Sequence, residues 1–187
     1  MPHPPTITLQ PFQLTDVTFF ASMASDARVT RFIGDGRPWD QQTIADRVHA
    51  ALQLDPLDLA DSSRWFLAAE AGESVGIVVS TRKNEGIEIG YWVAADHWGR
   101  GIAGAMVDCA LATIPDVYGS RELFARVDPS NTASARLLTR RGFFLEFNNL
   151  ELDHYKLRPI NPWHDGREDV IPDPIFPLRR PQLFLES

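Results

Sequence analysis

Residues 88–106 constrain the fold more than any other part of the chain. They begin within a run whose apolar residues alternate, the pattern of a strand with one buried face: Ile87, Ile89, Tyr91 and Val93. A five-residue loop leads to three glycines, Gly99, Gly101 and Gly104, and an apolar stripe of helical period follows. A glycine turn at a helix start gathers backbone N–H groups at the positive end of the helix dipole. We therefore expect a phosphorylated ligand at this turn.

The three glycines match Gly-x-Gly-x-x-Gly, the fingerprint of dinucleotide-binding folds, and Asp128 ends the next strand-like run. In those folds the glycines follow their strand tightly and open a series of strand–helix units. Here a loop intervenes, long sequence precedes the motif, and no helix is predicted after Gly142. A dinucleotide-dependent oxidoreductase therefore remains only as an alternative.

The segment 93–103 resembles the acyl-CoA loop of GCN5-related N-acetyltransferases (GNAT). A second segment, from Asn131 through Ser134 and Leu137 to Gly142-Phe143, resembles the other half of the same site. The RimJ/RimL-like branch, which acetylates ribosomal-protein N-termini, is most similar. It shares the Gly-Tyr-Trp strand, the Trp-Gly-Arg-Gly turn and a serine three residues after the asparagine. The resemblance spans roughly residues 10–157.

This resemblance implies an α+β fold, in which helices flank a central mixed, mostly antiparallel sheet and two splayed strands form the acyl-CoA cleft. The order of predicted elements agrees, since antiparallel strands precede a strand–helix–strand–helix unit and a closing hairpin. Thr15 and Asp40 are expected to cap the first helix and a later one. We assign residues 1–157 to one domain. Residues 158–187 are rich in proline and large apolar residues, which predicts an extended arm docked on its own domain or on a partner subunit.

The implied co-substrate is acetyl-CoA, and no metal-ligand spacing is present. The residues implied to bind it are Val93, Trp98, Gly99, Arg100, Gly101, Ile102, Ala103, Gly104, Asn131, Ser134 and Arg136. By resemblance, the Val93 amide polarises the thioester carbonyl, whereas the residues alone indicate only a core position. Arg100 lies where a cation meets the pyrophosphate. Asn131 either caps a helix or binds the pantetheine arm.

Arg136, Arg140 and Arg141 either reach the 3′-phosphate or lie on a solvated helix face. Glu88 is the candidate general base, because acetyl transfer to an amine requires removal of a proton. The alternative is a sheet-face carboxylate with no catalytic part.

The tyrosine that serves many GNAT enzymes as general acid is Leu138 here, so by resemblance either Ser134 or a water takes that role, or no general acid is needed. Arg37 and Trp39 lie in a loop that, by resemblance, borders the substrate entrance. The alternative is a surface loop with one tryptophan tucked back.

The net charge of −7 argues against nucleic acid as a partner and suits a basic acceptor. Without a long apolar run or a secretory signal, we expect a cytoplasmic protein that does not enter membranes. The function predicted is transfer of acetyl to a primary amine, on a protein N-terminus or a small molecule, with a homodimer possible. The other alternative is a non-catalytic acyl-CoA sensor.

Overall fold

The computed structural model of the protein describes residues 5–119, 122–149 and 151–158, so the proline-rich arm after residue 158 lies outside the described residues. The strands are β1 (Ile7–Pro11), β2 (Ser63–Glu70), β3 (Glu73–Lys83), β4 (Gly86–Val93), β5 (Leu123–Val127), β6 (Phe143–Asn148) and β7 (Asp153–Leu157). The helices are α1 (Val17–Ala24), α2 (Ala27–Thr30), α3 (Gln41–Leu52), α4 (Ile102–Tyr118) and α5 (Thr132–Thr139), with short 3-10 turns at Leu14–Asp16 and Ala95–His97.

The described strands form one sheet of seven, in the order β1-β2-β3-β4-β5-β7-β6. Adjacent strands in this sheet are antiparallel except for β4 and β5, which run parallel because α4 crosses between them. The expected mixed, mostly antiparallel sheet is thus confirmed. Repeated parallel strand–helix units, which the dinucleotide alternative requires, do not form in the described part of the chain.

The alternation predicted for β4 divides the interior into two cores. Ile87, Ile89 and Val93 pack on the side of α4, together with Met106 and other buried residues of that helix. Trp92 faces the other way, into an aromatic cluster that it forms with Phe12, Phe20, Trp39 and Trp65. The two faces of β4 therefore pack against different cores, and the core around Trp92 is the aromatic one.

The helix starts follow the capping predictions in two cases of three. The Asp40 carboxylate accepts the Thr43 amide at 2.8 Å, and the Asn131 side chain accepts the Ser134 amide at 3.1 Å, so both are N-caps. The prediction for Thr15 is wrong, since that residue lies inside the 3-10 turn and Asp16 precedes α1. Among the residues described, no helix is both long and apolar enough to cross a bilayer.

Candidate functional site

An opening in the sheet lies between β4 and β5. The two strands pair only at Ile87 with Leu123 and at Glu88 with Phe124, although β4 continues to Val93. On its other edge β4 pairs with β3 along its full length. From Ile89 onward, one edge of β4 therefore meets no strand among the described residues, and the splay implied by the family resemblance is present.

The backbone of Val93 faces this opening. Ile87 donates its N–H to the Glu122 carbonyl on the β5 side at 2.8 Å, whereas Ala94 donates to the Val75 carbonyl on the β3 side at 2.9 Å. Peptide groups along a strand point alternately to its two edges. Val93 has the parity of Ile87, so its N–H points into the opening.

The side chain of Trp98 closes the end of β4. Its indole Nε1 donates to the Val93 carbonyl oxygen at 2.9 Å, while half of the residue stays exposed. This bond holds the loop after β4 back over the strand, and it gives a partner to a carbonyl that no strand among the described residues reaches. Trp98 thus contacts the end of β4 through its ring.

The glycine turn leads directly into α4. Gly101 is the N-cap at φ 80° and ψ 3°, and Gly99 has φ 75°, both in the left-handed region that favours glycine. No side-chain cap is present at Gly101, so the first amides of this 17-residue helix lack a side-chain partner. A Cβ added at Gly99 would meet nothing within 4 Å, and one at Gly101 would touch only Pro5 at 3.7 Å. The turn therefore has uncapped N–H groups with open space beside it, which fits a phosphate.

Gly104 is small for a different reason. A Cβ there would lie 2.5 Å from Nη2 of Arg141, whose guanidinium packs on the first turn of α4. Arg141 donates to the Gly104 carbonyl at 3.1 Å and to both oxygens of Asp108 at 2.7 and 2.8 Å. Arg141 thereby fastens the end of α5 to α4 and is occupied by that role.

The other two arginines of the predicted site, Arg100 and Arg136, differ in whether they form an ion pair. Arg100 is half-exposed, and its guanidinium contacts Glu70 at 2.6 Å and the His97 ring at 2.9 Å. Arg136 is exposed on α5 beside a groove that Thr139, Arg140 and Tyr155 also line. No ion pair between described residues engages Arg136, so its charge is available to a ligand.

Ser134 contacts a residue that the sequence interpretation assigned only to the core. Its Oγ lies 2.7 Å from the phenolic oxygen of Tyr91 on β4. Burial raises the pKa of Tyr91, opposed by the hydrogen bond to Ser134 and by the charge of Arg141. A tyrosine among aliphatic residues on one strand face was the available signal, since a buried phenol needs a polar partner. Leu138 is fully buried in the core and cannot substitute.

Glu88 lies on the opposite face of β4, as the alternation predicts. Both of its carboxylate oxygens accept from Arg126 on β5, at 2.8 Å each, and the Glu88 side chain is 19% exposed. This bond raises the pKa of Arg126. The partner was not identified from sequence, although Arg126 occupies the matching face of the adjacent strand.

The two residues predicted to line the substrate entrance, Arg37 and Trp39, lie in different environments. Trp39 packs edge-on against Trp92, with ring centroids 5.1 Å apart, and lies near Phe20. Arg37 is exposed, and its amide is bonded to the Asp35 carboxylate. The tryptophan is therefore tucked back into the second core, as the alternative interpretation has it. Among the described residues, no three potential metal ligands come together.

Comparison with known proteins matches this arrangement to one family. Residues 6–144 fit the family model described as the acetyltransferase (GNAT) domain. The uncharacterized N-acetyltransferase p20 of Bacillus licheniformis is 25% identical over 142 residues, which cover 73% of this chain and 78% of that protein.

Solved structures share the fold. The spermidine N-acetyltransferase of Vibrio cholerae, in complex with CoA and spermine, superposes with a TM-score of 0.67 at 17% identity, over 81% of this chain and 93% of that one. RimL, the ribosomal L7/L12 alpha-N-protein acetyltransferase, superposes in its apo form with a TM-score of 0.65 at 19% identity, over 83% of this chain and 91% of RimL. At these identities the superpositions show similarity of fold.

Proposed function

The chain belongs to the GNAT acetyltransferase family, and on that premise we propose that it transfers an acetyl group from acetyl-CoA directly to a primary amine. The opening between β4 and β5 is the observation that carries the proposal. There the Val93 N–H faces the gap, and the uncapped start of α4 follows within a few residues. One end of the opening thus suits a carbonyl oxygen, and the other suits a pyrophosphate.

We assign the binding roles as follows. The turn at Gly99, Arg100 and Gly101, with the amides of Ile102 and Ala103, takes the pyrophosphate, while Gly104 provides room for Arg141. Trp98 fixes the loop beside the turn, and Asn131 holds the start of α5 at the pantetheine path. Arg136 is the cation for the 3′-phosphate because it is exposed and has no ion-pair partner among the described residues.

Acetyl-CoA supplies an activated acetyl group as a thioester. In the transfer, the amine nitrogen bonds to the acetyl carbon as the carbon–sulfur bond breaks, the amine loses a proton, and the sulfur gains one. A base and an acid on opposite sides of the acetyl group suit this reaction. Glu88 and Ser134 fit, since Glu88 shares the face of Trp92 while Ser134 meets Tyr91 on the face of α4.

Glu88 is the proposed base despite its ion pair. A carboxylate has about four lone-pair sites, and the two bonds from Arg126 occupy two of them. The others remain able to accept a proton from the amine, directly or through a water. Arg126 holds the carboxylate in place.

The acceptor is a protein N-terminus or a small amine. The net charge of −7 favours a cationic acceptor. The two enzymes whose solved structures are named above act on spermidine and on a ribosomal-protein N-terminus.

Release of free CoA should be measured with spermidine and with a short peptide bearing a free N-terminus, on the wild type, Glu88→Gln and Glu85→Gln. Glu85 acts on Arg126 from a distance, so its variant is the matched control for removing a charge nearby. We expect turnover with one acceptor class and a loss of about a hundredfold in kcat for Glu88→Gln alone. Tight CoA binding without turnover for any amine would instead favour the sensor, and a loss confined to Glu85→Gln would move the base to that residue.

A further inference from the structure

We propose that Tyr91 is a positioning residue that directs the hydroxyl hydrogen of Ser134 toward the leaving sulfur. The inference rests on the proposed function and adds a residue to its acid side. Its starting point is the 2.7 Å contact between the Tyr91 phenol and Ser134 Oγ, which joins β4 to the first turn of α5. This contact spans the two sides of the opening, because α5 follows β5 in the chain and β5 has diverged from β4 at this level.

The direction of this hydrogen bond decides what Ser134 can do. If Ser134 donates to Tyr91, its single hydrogen is used and none remains for the thiolate. If Tyr91 donates, the serine accepts through a lone pair and keeps its hydrogen for a second partner. A phenol is far more acidic than an aliphatic alcohol, so it is the stronger donor of the two.

Two further observations are compatible with Tyr91 as donor. The phenol keeps its hydrogen at neutral pH, because burial raises its pKa despite the opposing hydrogen bond to Ser134 and the charge of Arg141. In addition, the Asn131 side chain binds the backbone amide of Ser134, so it fixes the residue without competing for Oγ.

The bond also fixes the rotamer of Ser134. A serine hydroxyl on a helix readily turns back to bond a carbonyl of the preceding turn. Here Tyr91 holds Oγ on the side of β4, where the opening begins. The hydroxyl then stabilises the thiolate as the carbon–sulfur bond breaks and supplies its proton, which solvent restores to the serine. Tyr91 keeps its own proton and undergoes no net change.

The chain offers a matched control in Tyr118. Its phenol is also buried, and burial also raises its pKa. The phenol donates to the Ser80 carbonyl at 3.0 Å and accepts from Ser80 Oγ at 3.3 Å, so it too is bonded to a serine. It lies at the far end of α4, so Tyr118→Phe removes a comparable bond away from the opening.

The test measures the pKa of the CoA thiol bound to the protein, which is obtained from the thiolate absorbance recorded as a function of pH. We expect Tyr91→Phe and Ser134→Ala each to raise the thiol pKa by about one pH unit and to lower kcat about tenfold, with little change in KM for acetyl-CoA. The double variant should be no worse than either single one, and Tyr118→Phe should leave the thiol pKa unmoved. Tyr91→Met, which also lacks the hydroxyl, replaces Tyr91→Phe if that variant does not fold.

The outcomes separate the two levels of the proposal. A shift for Ser134→Ala without one for Tyr91→Phe overturns the role of Tyr91 and leaves Ser134 as the acid. No shift in either variant, with CoA bound, overturns both roles. Failure of the wild type to bind CoA overturns the proposed function itself.

Discussion

The indole Nε1 of Trp98 donates to the carbonyl oxygen of Val93 at 2.9 Å, so the residue before the glycine turn is tied to the last residue of β4. The bond links the two parts of the opening that are proposed to meet acetyl-CoA, the strand edge and the start of α4. The loop that joins the strand edge to the start of α4 is short. Holding this loop in place therefore fixes the distance between the strand edge and the helix start, which a ligand contacting both must span.

Replacing Trp98 by phenylalanine should weaken acetyl-CoA binding about fivefold. The variant keeps a ring but removes the donor, which leaves the Val93 carbonyl without its partner at a cost of about 1 kcal/mol. Calorimetric titration gives the affinity, and thermal unfolding of the same samples gives the stability. An unchanged affinity would show that the loop is held by other contacts.

Gly104 and Arg141 should behave as a coupled pair. Gly104→Ala alone should lower the free energy of unfolding, because the new Cβ displaces a guanidinium held by Asp108. With Arg141→Ala already present, the same change should become stabilising by about 0.5–1 kcal/mol, the usual gain of alanine over glycine within a helix. Denaturant unfolding of the four proteins completes the cycle, and additive effects would contradict the packing described here.

Arg136 is expected to read the 3′-phosphate. The wild type should bind CoA more tightly than 3′-dephospho-CoA, and Arg136→Gln should reduce that preference about three- to tenfold by removing a charge-assisted contact. Arg140→Gln removes the neighbouring cation at the C-cap of α5, and it should change that preference less than Arg136→Gln does. Equal loss of affinity for both ligands would assign Arg136 a general electrostatic effect instead.

Trp39 should matter chiefly for stability. Its ring packs against Phe20 and Trp92, so Trp39→Ala should lower the free energy of unfolding by about 2–4 kcal/mol. The measurement is denaturant unfolding, followed by KM for the amine at a temperature where the variant is fully folded. A rise in KM without loss of stability would return Trp39 to the entrance role expected from the sequence.

Much of the fold was accessible from the sequence because β4 carries two independent signals, apolar alternation and the glycine turn behind it. Alternation placed Glu88 with Trp92 and opposite Tyr91, as the structure has it. Asp40 was recognisable as a cap because a carboxylate three residues before a backbone N–H is a local relationship. The same reasoning misplaced the cap of α1, where the 3-10 turn moves the helix start past Thr15.

The partners of the site residues were not accessible in this way. The contacts from Glu88 to Arg126, Tyr91 to Ser134 and Gly104 to Arg141 each join residues 37 to 43 positions apart. No spacing rule within one element reports such a contact, because it depends on how strands and helices meet. For the same reason the sequence did not indicate that Gly104 packs against Arg141.

The central claim is that the glycine turn binds the phosphates of acetyl-CoA, and calorimetric titration of wild type, Gly101→Trp and Gly119→Trp tests it most directly. Both glycines have positive φ, and Gly119 lies at the other end of α4, so the second variant controls for backbone strain. The account predicts micromolar binding by the wild type and by Gly119→Trp, and loss of binding by Gly101→Trp. No binding by the wild type, or equal binding by Gly101→Trp, would contradict it.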